Sequence, residues 1–173
     1  ARAIQHARQG RLDAAIQSFR RGLVMAPEEP SLLDGLAMAL HGARLDGEAE
    51  EVAARALELD PDVVWSRVVR AERALEQGDS KDALTEAEGA LSRDPRNAAA
   101  RLARADALQL LGRKAEARQQ YEAFTEVAGQ GGSLGLSPER ADAVRQALAA
   151  GALPAPRGRL KAARPRPVPK GND

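Results

Sequence analysis

Ser31, Asp34 and His41 bring together the side-chain types of a serine hydrolase: a nucleophile, an acid and a general base. On a helix, however, the seven residues from Asp34 to His41 correspond to about two turns, or roughly 10 Å along the axis. An acid must come within about 3 Å of a general base to orient it. The spacing therefore argues against hydrolysis, and we expect these three residues to belong to a recognition surface.

Other residue types that could support catalysis or bind a cofactor are absent or isolated. The chain has no cysteine, which excludes disulfides, thiol catalysis and Cys-ligated metals but does not fix the compartment. His6 has no partner nearby in sequence, and neither histidine has metal-binding spacing. The glycine-rich stretch 129–135 lacks the preceding strand and the following Lys-Ser/Thr of a phosphate-binding loop. We expect no metal, no cofactor and no enzyme activity.

These residues lie in a chain that repeats itself every 34 positions. Alanines share one phase of this repeat: Ala15, Ala49, Ala83 and Ala117. Prolines share a second phase: Pro27, Pro61 and Pro95. Glycines share a third, in which an arginine takes one place: Gly10, Arg44, Gly78 and Gly112. A 34-residue period with small residues at fixed offsets predicts helix–turn–helix units stacked into a solenoid.

Over roughly residues 1–128 these repeats resemble the tetratricopeptide repeat family. The resemblance implies an all-α fold, a right-handed α-α superhelix of about four helix-turn-helix repeats. A C-terminal capping helix should follow, because an open-ended solenoid needs one. The predicted units are about 1–29, 30–63, 64–97 and 98–128, followed by a Gly-rich connector at 129–136, the capping helix at 137–153 and a basic, Pro-rich disordered tail at 154–173.

The resemblance also implies a binding surface, because in that family the first helix of each unit lines a concave groove that holds a peptide. The positions of this chain that match the groove-facing places are Ser31, Asp34, Met38, His41, Trp65, Val68, Glu72, Leu75, Ala99, Leu102, Asp106 and Gln109. Apolar residues with a few orienting polar groups suit peptide recognition. The acids Asp34, Glu72 and Asp106 favour a neutral or basic ligand segment.

Trp65 is the residue that we expect to anchor a ligand. It is the single tryptophan, and tryptophan is enriched among binding hot spots. The alternative is that it packs in the core. One subclass of the family is disfavoured, because the positions where chaperone-binding repeats carry a Lys, Asn and Arg clamp for a carboxylate hold Ile4, Gly35, Trp65 and Val69 here.

Charge divides the chain into an acidic body and a basic tail. Residues 154–173 hold 6 Lys/Arg and one Asp, whereas residues 1–153 hold 20 Lys/Arg and 24 Asp/Glu. Such a tail is a solvated terminus, an electrostatic site for nucleic acid or an anionic membrane surface, or a polyproline-type ligand. It could also fold back on its own acidic body, which would make compactness depend steeply on salt.

The sequence as a whole predicts a non-catalytic scaffold or adaptor that holds a partner protein or peptide and has no small-molecule substrate. One alternative is the regulatory or targeting portion of a longer enzyme, and another is a tail-driven binder of nucleic acid or membrane. Since residue 1 is Ala and the first unit starts within a helix, we interpret the chain as a fragment or processed product. The partner, the compartment and the oligomeric state stay open.

Overall fold

The computed structural model describes residues 2–129 and 138–158, and within these ranges the chain forms helices and no strand. The helices are α1 (Arg2–Arg8), α2 (Leu12–Met25), α3 (Pro30–Gly42), α4 (Asp46–Leu59), α5 (Val64–Gln77), α6 (Ser80–Arg93), α7 (Ala98–Leu110), α8 (Lys114–Gly129) and α9 (Pro138–Ala149). The predicted all-α repeat fold is confirmed. None of the helices described here is long and apolar enough to cross a membrane.

The 34-residue period reappears in the helix boundaries. The second helices of the four units, α2, α4, α6 and α8, begin 34 residues apart, at Leu12, Asp46, Ser80 and Lys114. The fourth residue of each is one of the phased alanines, and all four alanines are completely buried. A methyl side chain lets two helices approach closely, so the phased alanines mark equivalent positions in the four hairpins.

The helices form two layers. In the inner layer α1, α3, α5 and α7 pack directly on one another, whereas α2, α4, α6 and α8 each pack on their inner-layer neighbours and not on one another. Closer spacing on one side curves the array towards that side. The helices α3, α5 and α7 therefore form the floor of a concave groove, and α9 packs on α8 at the end of the array.

The turn inside each unit has one backbone conformation throughout the array. Gly10, Gly78 and Gly112 have positive φ angles of 71°, 77° and 80°, and Arg44 at the equivalent place has φ 63°. Glycine enters this left-handed region without a steric penalty from a Cβ atom, whereas arginine does not. The second unit therefore makes the same turn at a conformational cost.

We expect Arg44→Gly to raise the free energy of unfolding by about 0.5–1 kcal/mol, because relief of the Cβ strain exceeds the added entropy of the unfolded chain. The exposed guanidinium of Arg44 lies 4.0 Å from Asp46, a contact that contributes little. Chemical denaturation measures the change. The reciprocal variant Gly78→Arg should destabilise, and an equal loss of stability in both variants would contradict the explanation.

After α9 the chain turns at Gly151 and runs back across the inner layer. We call residues 151–158 the strap. The guanidinium of Arg118 on α8 donates a 2.8 Å hydrogen bond to the carbonyl oxygen of Gly151 and so fixes the start of the strap. The predicted disordered tail began at residue 154, but residues 154–158 take a defined path because side chains of the body hold their backbone. Residues 159–173 and 130–137, which include most of the predicted connector, lie outside the described residues.

Candidate peptide-binding groove

The strap lies in the concave groove and is held through its main chain. The amide of Gln109 on α7 donates a 3.0 Å hydrogen bond to the carbonyl oxygen of Pro154. The guanidinium of Arg140 on α9 donates to the carbonyl oxygen of Ala155 at 2.6 Å. Pro154 is buried although it is the first residue of the predicted disordered tail. The groove therefore binds an irregular, proline-containing segment in the manner expected for a peptide.

Arg157 is the side chain of the strap that the groove binds most directly. Its guanidinium forms an ion pair and hydrogen bond with the carboxylate of Glu72 on α5, 85 residues earlier in the chain. The Glu72 side chain is only 9% exposed. At Gly158 the backbone passes so close to α5 that a Cβ atom would overlap the carbonyl oxygen of Leu75. Glycine is therefore required next to this arginine.

Asp106 is the second acid of the groove, and it is almost completely buried. Its carboxylate accepts hydrogen bonds from the Tyr121 hydroxyl at 2.5 Å and from the Arg140 guanidinium at 2.6 Å. Burial raises the pKa of Asp106 to about 6, although these donors act in the opposite direction. Asp106 thus holds the Arg140 guanidinium, which in turn binds the strap at the carbonyl oxygen of Ala155.

His41 extends this network to α3. Its Nε2 atom lies 3.1 Å from the Glu72 carboxylate and its Nδ1 atom 3.3 Å from that of Asp46. Burial by itself would lower the pKa of His41, but the hydrogen bond and charge of Glu72 and the charge of Asp46 outweigh it and raise the pKa. Burial likewise opposes ionisation of Glu72, yet His41 and Arg157 lower its pKa. Glu72 is therefore a buried carboxylate held between the Arg157 guanidinium and the His41 imidazole.

Asp34 does not pair with His41 as the hydrolase arrangement would require. Its carboxylate accepts hydrogen bonds from the backbone N–H groups of Trp65 and Ser66, at 3.2 and 2.7 Å, and from the Ser66 hydroxyl at 2.8 Å. Asp34 thereby binds free N–H groups at the start of α5 and joins two inner-layer helices. With Asp34 capping α5 and His41 facing Glu72, the hydrolase set is not assembled.

The structure places the predicted groove residues at different depths. One of them, Ser31, is exposed, and three are half-buried: Asp34, Trp65 and Gln109. The buried ones are Met38, His41, Val68, Glu72, Leu75, Ala99, Leu102 and Asp106. Among these, the apolar side chains belong to the cores between helices, so they support the groove floor. Of the polar ones, Glu72 binds the strap and His41, whereas Asp106 binds Tyr121 and Arg140.

Trp65 packs partly against two cores, one shared with α2, α3 and α4 and one shared with α6 and α7. It keeps part of its surface accessible, as a ligand anchor must. Gly35, one of the positions that a carboxylate clamp would need, lies against the ring of Phe19, and a Cβ atom there would overlap that ring. The structure therefore leaves no room for a clamp side chain at this position.

Four residues that hold the strap in place were not among the predicted site residues: Arg118, Tyr121, Arg140 and Arg157. A signal for Arg140 existed, because it lies 34 residues after Asp106 and so continues the phase of Glu72 and Asp106 into α9. Arg157 carried no such signal, since it lies beyond the repeats.

Comparison with known families gives one match that covers most of the chain. A family model described as tetratricopeptide repeat matches residues 1–63 and 68–132. No curated protein matches the sequence.

Solved structures of MamA are similar in fold. A crystal structure of MamA protein is 16% identical with a TM-score of 0.53, over 83% of this chain and 80% of that chain. A second MamA crystal structure has the same identity and TM-score, over 83% of this chain and 88% of that one. The structure of MamA MSR-1 C2 is 18% identical with a TM-score of 0.53, over 86% and 87% of the two chains. At these identities the likeness concerns the helical-repeat fold alone.

Proposed function

The chain belongs to the tetratricopeptide repeat family, and from this membership we propose that it is a non-catalytic scaffold that holds a segment of a partner protein in its concave groove. The family and the fold support a protein–protein interaction scaffold. The finer assignment, to the groove formed by α3, α5 and α7, depends on an observation of this chain.

That observation is the strap. A non-helical segment lies against α5 and α7, with three backbone carbonyls bound by side chains of the body and one arginine paired with a buried acid. Main-chain hydrogen bonds that supply affinity, together with one side-chain pocket that supplies specificity, are the features of peptide recognition. The groove therefore offers a partner segment the same contacts.

The polar groups of the groove are arranged for binding. Both ring nitrogens of His41 face carboxylates, and Asp34 is engaged by the backbone of α5. Among the described residues no group of three or more His, Asp or Glu side chains is placed to hold a metal ion. The alternative that assigns binding of nucleic acid or membrane to the tail depends chiefly on residues 159–173, which lie outside the described residues.

Selection of peptides from a random display library on the immobilised full chain tests this proposal. We expect the selected peptides to bind the wild-type chain in isothermal titration calorimetry. They should also lose affinity when the groove is altered. Peptides that bind equally well to every groove variant would place the interaction on another surface and refute the groove assignment.

Trp65→Ala is the groove variant with the largest expected effect on ligand binding. Truncation of a tryptophan anchor should weaken a selected peptide by on the order of 2 kcal/mol, measured by calorimetry. Val24→Ala is the control, because Val24 is 79% exposed at the end of α2, an outer-layer helix, and its loss should leave the affinity unchanged. If Trp65→Ala lowers the melting temperature and leaves the peptide affinity intact, Trp65 is structural and the groove has lost its anchor.

A further inference from the structure

The strap shows which ligand chemistry fits this groove. Residues 154–158 read Pro-Ala-Pro-Arg-Gly. Each proline disfavours helix at the residue before it, so the segment enters the groove in an extended form at low entropic cost. The arginine carries the positive charge that Glu72 binds, and the glycine permits the close approach to α5. The arginine of this segment thus faces an acid of the groove, and the glycine lies where a Cβ atom would overlap α5.

We infer that the groove recognises a proline-flanked arginine segment of a partner protein and that the chain's own strap occupies the same place and competes with it. This inference rests on the proposed function and adds the ligand class and its regulation. The partner's arginine would take the position of Arg157 on Glu72. Its backbone carbonyls would take the positions of those of Pro154 and Ala155, on Gln109 and Arg140.

The charges around the arginine position favour a cation over a neutral or acidic side chain. The carboxylate of Glu72 is buried, and the same oxygen, Oε2, contacts both His41 and Arg157. Removing Arg157 leaves a buried carboxylate with one cation fewer, which is unfavourable in a site with little water. A partner arginine removes this deficit, so an opened groove selects a segment that carries one.

The strap also has the properties of a competitor that can leave. It contains no helix, and its contacts with the groove are a small number of hydrogen bonds and one ion pair, with few buried apolar side chains. Segments with few apolar contacts open at low free-energy cost. For a ligand that binds only the open form, the apparent dissociation constant equals the intrinsic one divided by the fraction of chains in which the strap is open.

The test uses a synthetic peptide with the sequence of residues 152–158, acetylated and amidated, and the full chain. Calorimetry compares wild type with Arg157→Ala, which removes the strap's ion pair. We expect Arg157→Ala to bind the peptide about tenfold more tightly than wild type, because the strap competes less. Arg145→Ala, which removes an exposed arginine of α9 paired with Asp142, is the matched control and should bind like wild type.

Two further arms test the arginine itself. The double variant Arg157→Ala/Glu72→Gln should lose the tenfold gain in peptide affinity. A peptide with alanine in place of arginine should not bind the Arg157→Ala chain. Circular dichroism establishes that the variants keep their helices. Equal affinities of wild type and Arg157→Ala, or binding that is independent of the peptide's arginine, would overturn the inference.

The remaining outcomes separate this inference from the proposed function. If library peptides without arginine bind in a manner sensitive to Trp65→Ala and the strap peptide does not bind, the groove function stands and the ligand class is wrong. If no peptide loses affinity in either Trp65→Ala or Glu72→Gln, both the groove function and the ligand class are wrong. Concentration-dependent dimers of wild type that Arg157→Ala abolishes, seen by analytical ultracentrifugation, would assign the strap to a second copy and overturn competition within one chain.

Discussion

Phe124→Ala is expected to lower the free energy of unfolding by about 3–5 kcal/mol, the cost of deleting a buried aromatic side chain and leaving a cavity. Phe124 on α8 is completely buried in the core that joins α7, α8 and α9. It stands in the repeat phase that holds Gly22, Ala56 and Ala90 in the other units. The large ring fills the end of the array, where α9 takes the place of another complete unit.

The loss should be local, because each unit of a solenoid contacts only its neighbours. Hydrogen exchange should show lost protection in α8, α9 and the strap, while the amides of α3 and α4 stay protected. Chemical denaturation supplies the free energy, with Val24→Ala as an exposed apolar control expected to change it by less than about 0.5 kcal/mol. A uniform loss of protection along the chain would contradict the one-dimensional description of this fold.

The sequence was sufficient to predict the repeat architecture because each unit specifies itself locally. The phased alanines and the glycines of the turns recur at one spacing, and the helices begin with that spacing. Small residues are needed wherever helices approach closely, and positive φ is needed at every turn inside a unit. These constraints recur every 34 residues and involve only neighbouring helices. The repeat architecture can therefore be predicted without knowledge of long-range contacts.

The contents of the groove could be predicted only in part. Glu72 and Asp106 were expected to favour a basic ligand segment, and this preference remains a prediction for a partner. In the structure Glu72 binds Arg157, which lies 85 residues away and outside the repeat, and Asp106 binds Arg140, which holds the strap backbone. A contact between a repeat and a non-repeating segment has no periodic signature, so composition alone classified residues 154–158 as disordered.

Pairing within the inner layer was missed for a different reason. His41 contacts Glu72 and Asp34 contacts Trp65, and in both pairs the partner lies 31 residues further along. This offset is three residues shorter than the 34-residue period, because a residue of one inner helix does not contact the equivalent residue of the next one. The sequence supplied the period, whereas the shift depends on how the helices pack.

Asp106→Asn isolates the energetic consequence of burying an acid in this groove. Asparagine keeps an oxygen that can accept from Tyr121, but it carries no charge and does not titrate. The charged and titratable side chains that act on the pKa of Asp106 are those of Arg140 from α9, Tyr121 from α8 and Glu72 from α5. Burial is the largest influence and raises the pKa from an ordinary 3.8 to about 6, so the ionised form is less favourable in the folded chain than in water.

The sign of the pH dependence follows from proton binding. Between pH 4 and pH 6 the folded chain keeps a proton on Asp106 that the unfolded chain has lost, so its contribution to stability falls as the pH rises. The stability of wild type relative to Asp106→Asn should therefore decline by roughly 2–3 kcal/mol from pH 4 to pH 7, since each pKa unit corresponds to about 1.4 kcal/mol. Denaturation of both chains at several pH values measures this difference, in which the titration of groups common to both largely cancels.

Glu122→Gln, at an exposed acid of α8, is the control, and the pH dependence of its free energy of unfolding should be parallel to that of wild type. Parallel curves for Asp106→Asn and wild type would show that the Arg140 guanidinium and the strap compensate fully for the burial of this carboxylate, and that the groove tolerates the charge of Asp106 without cost.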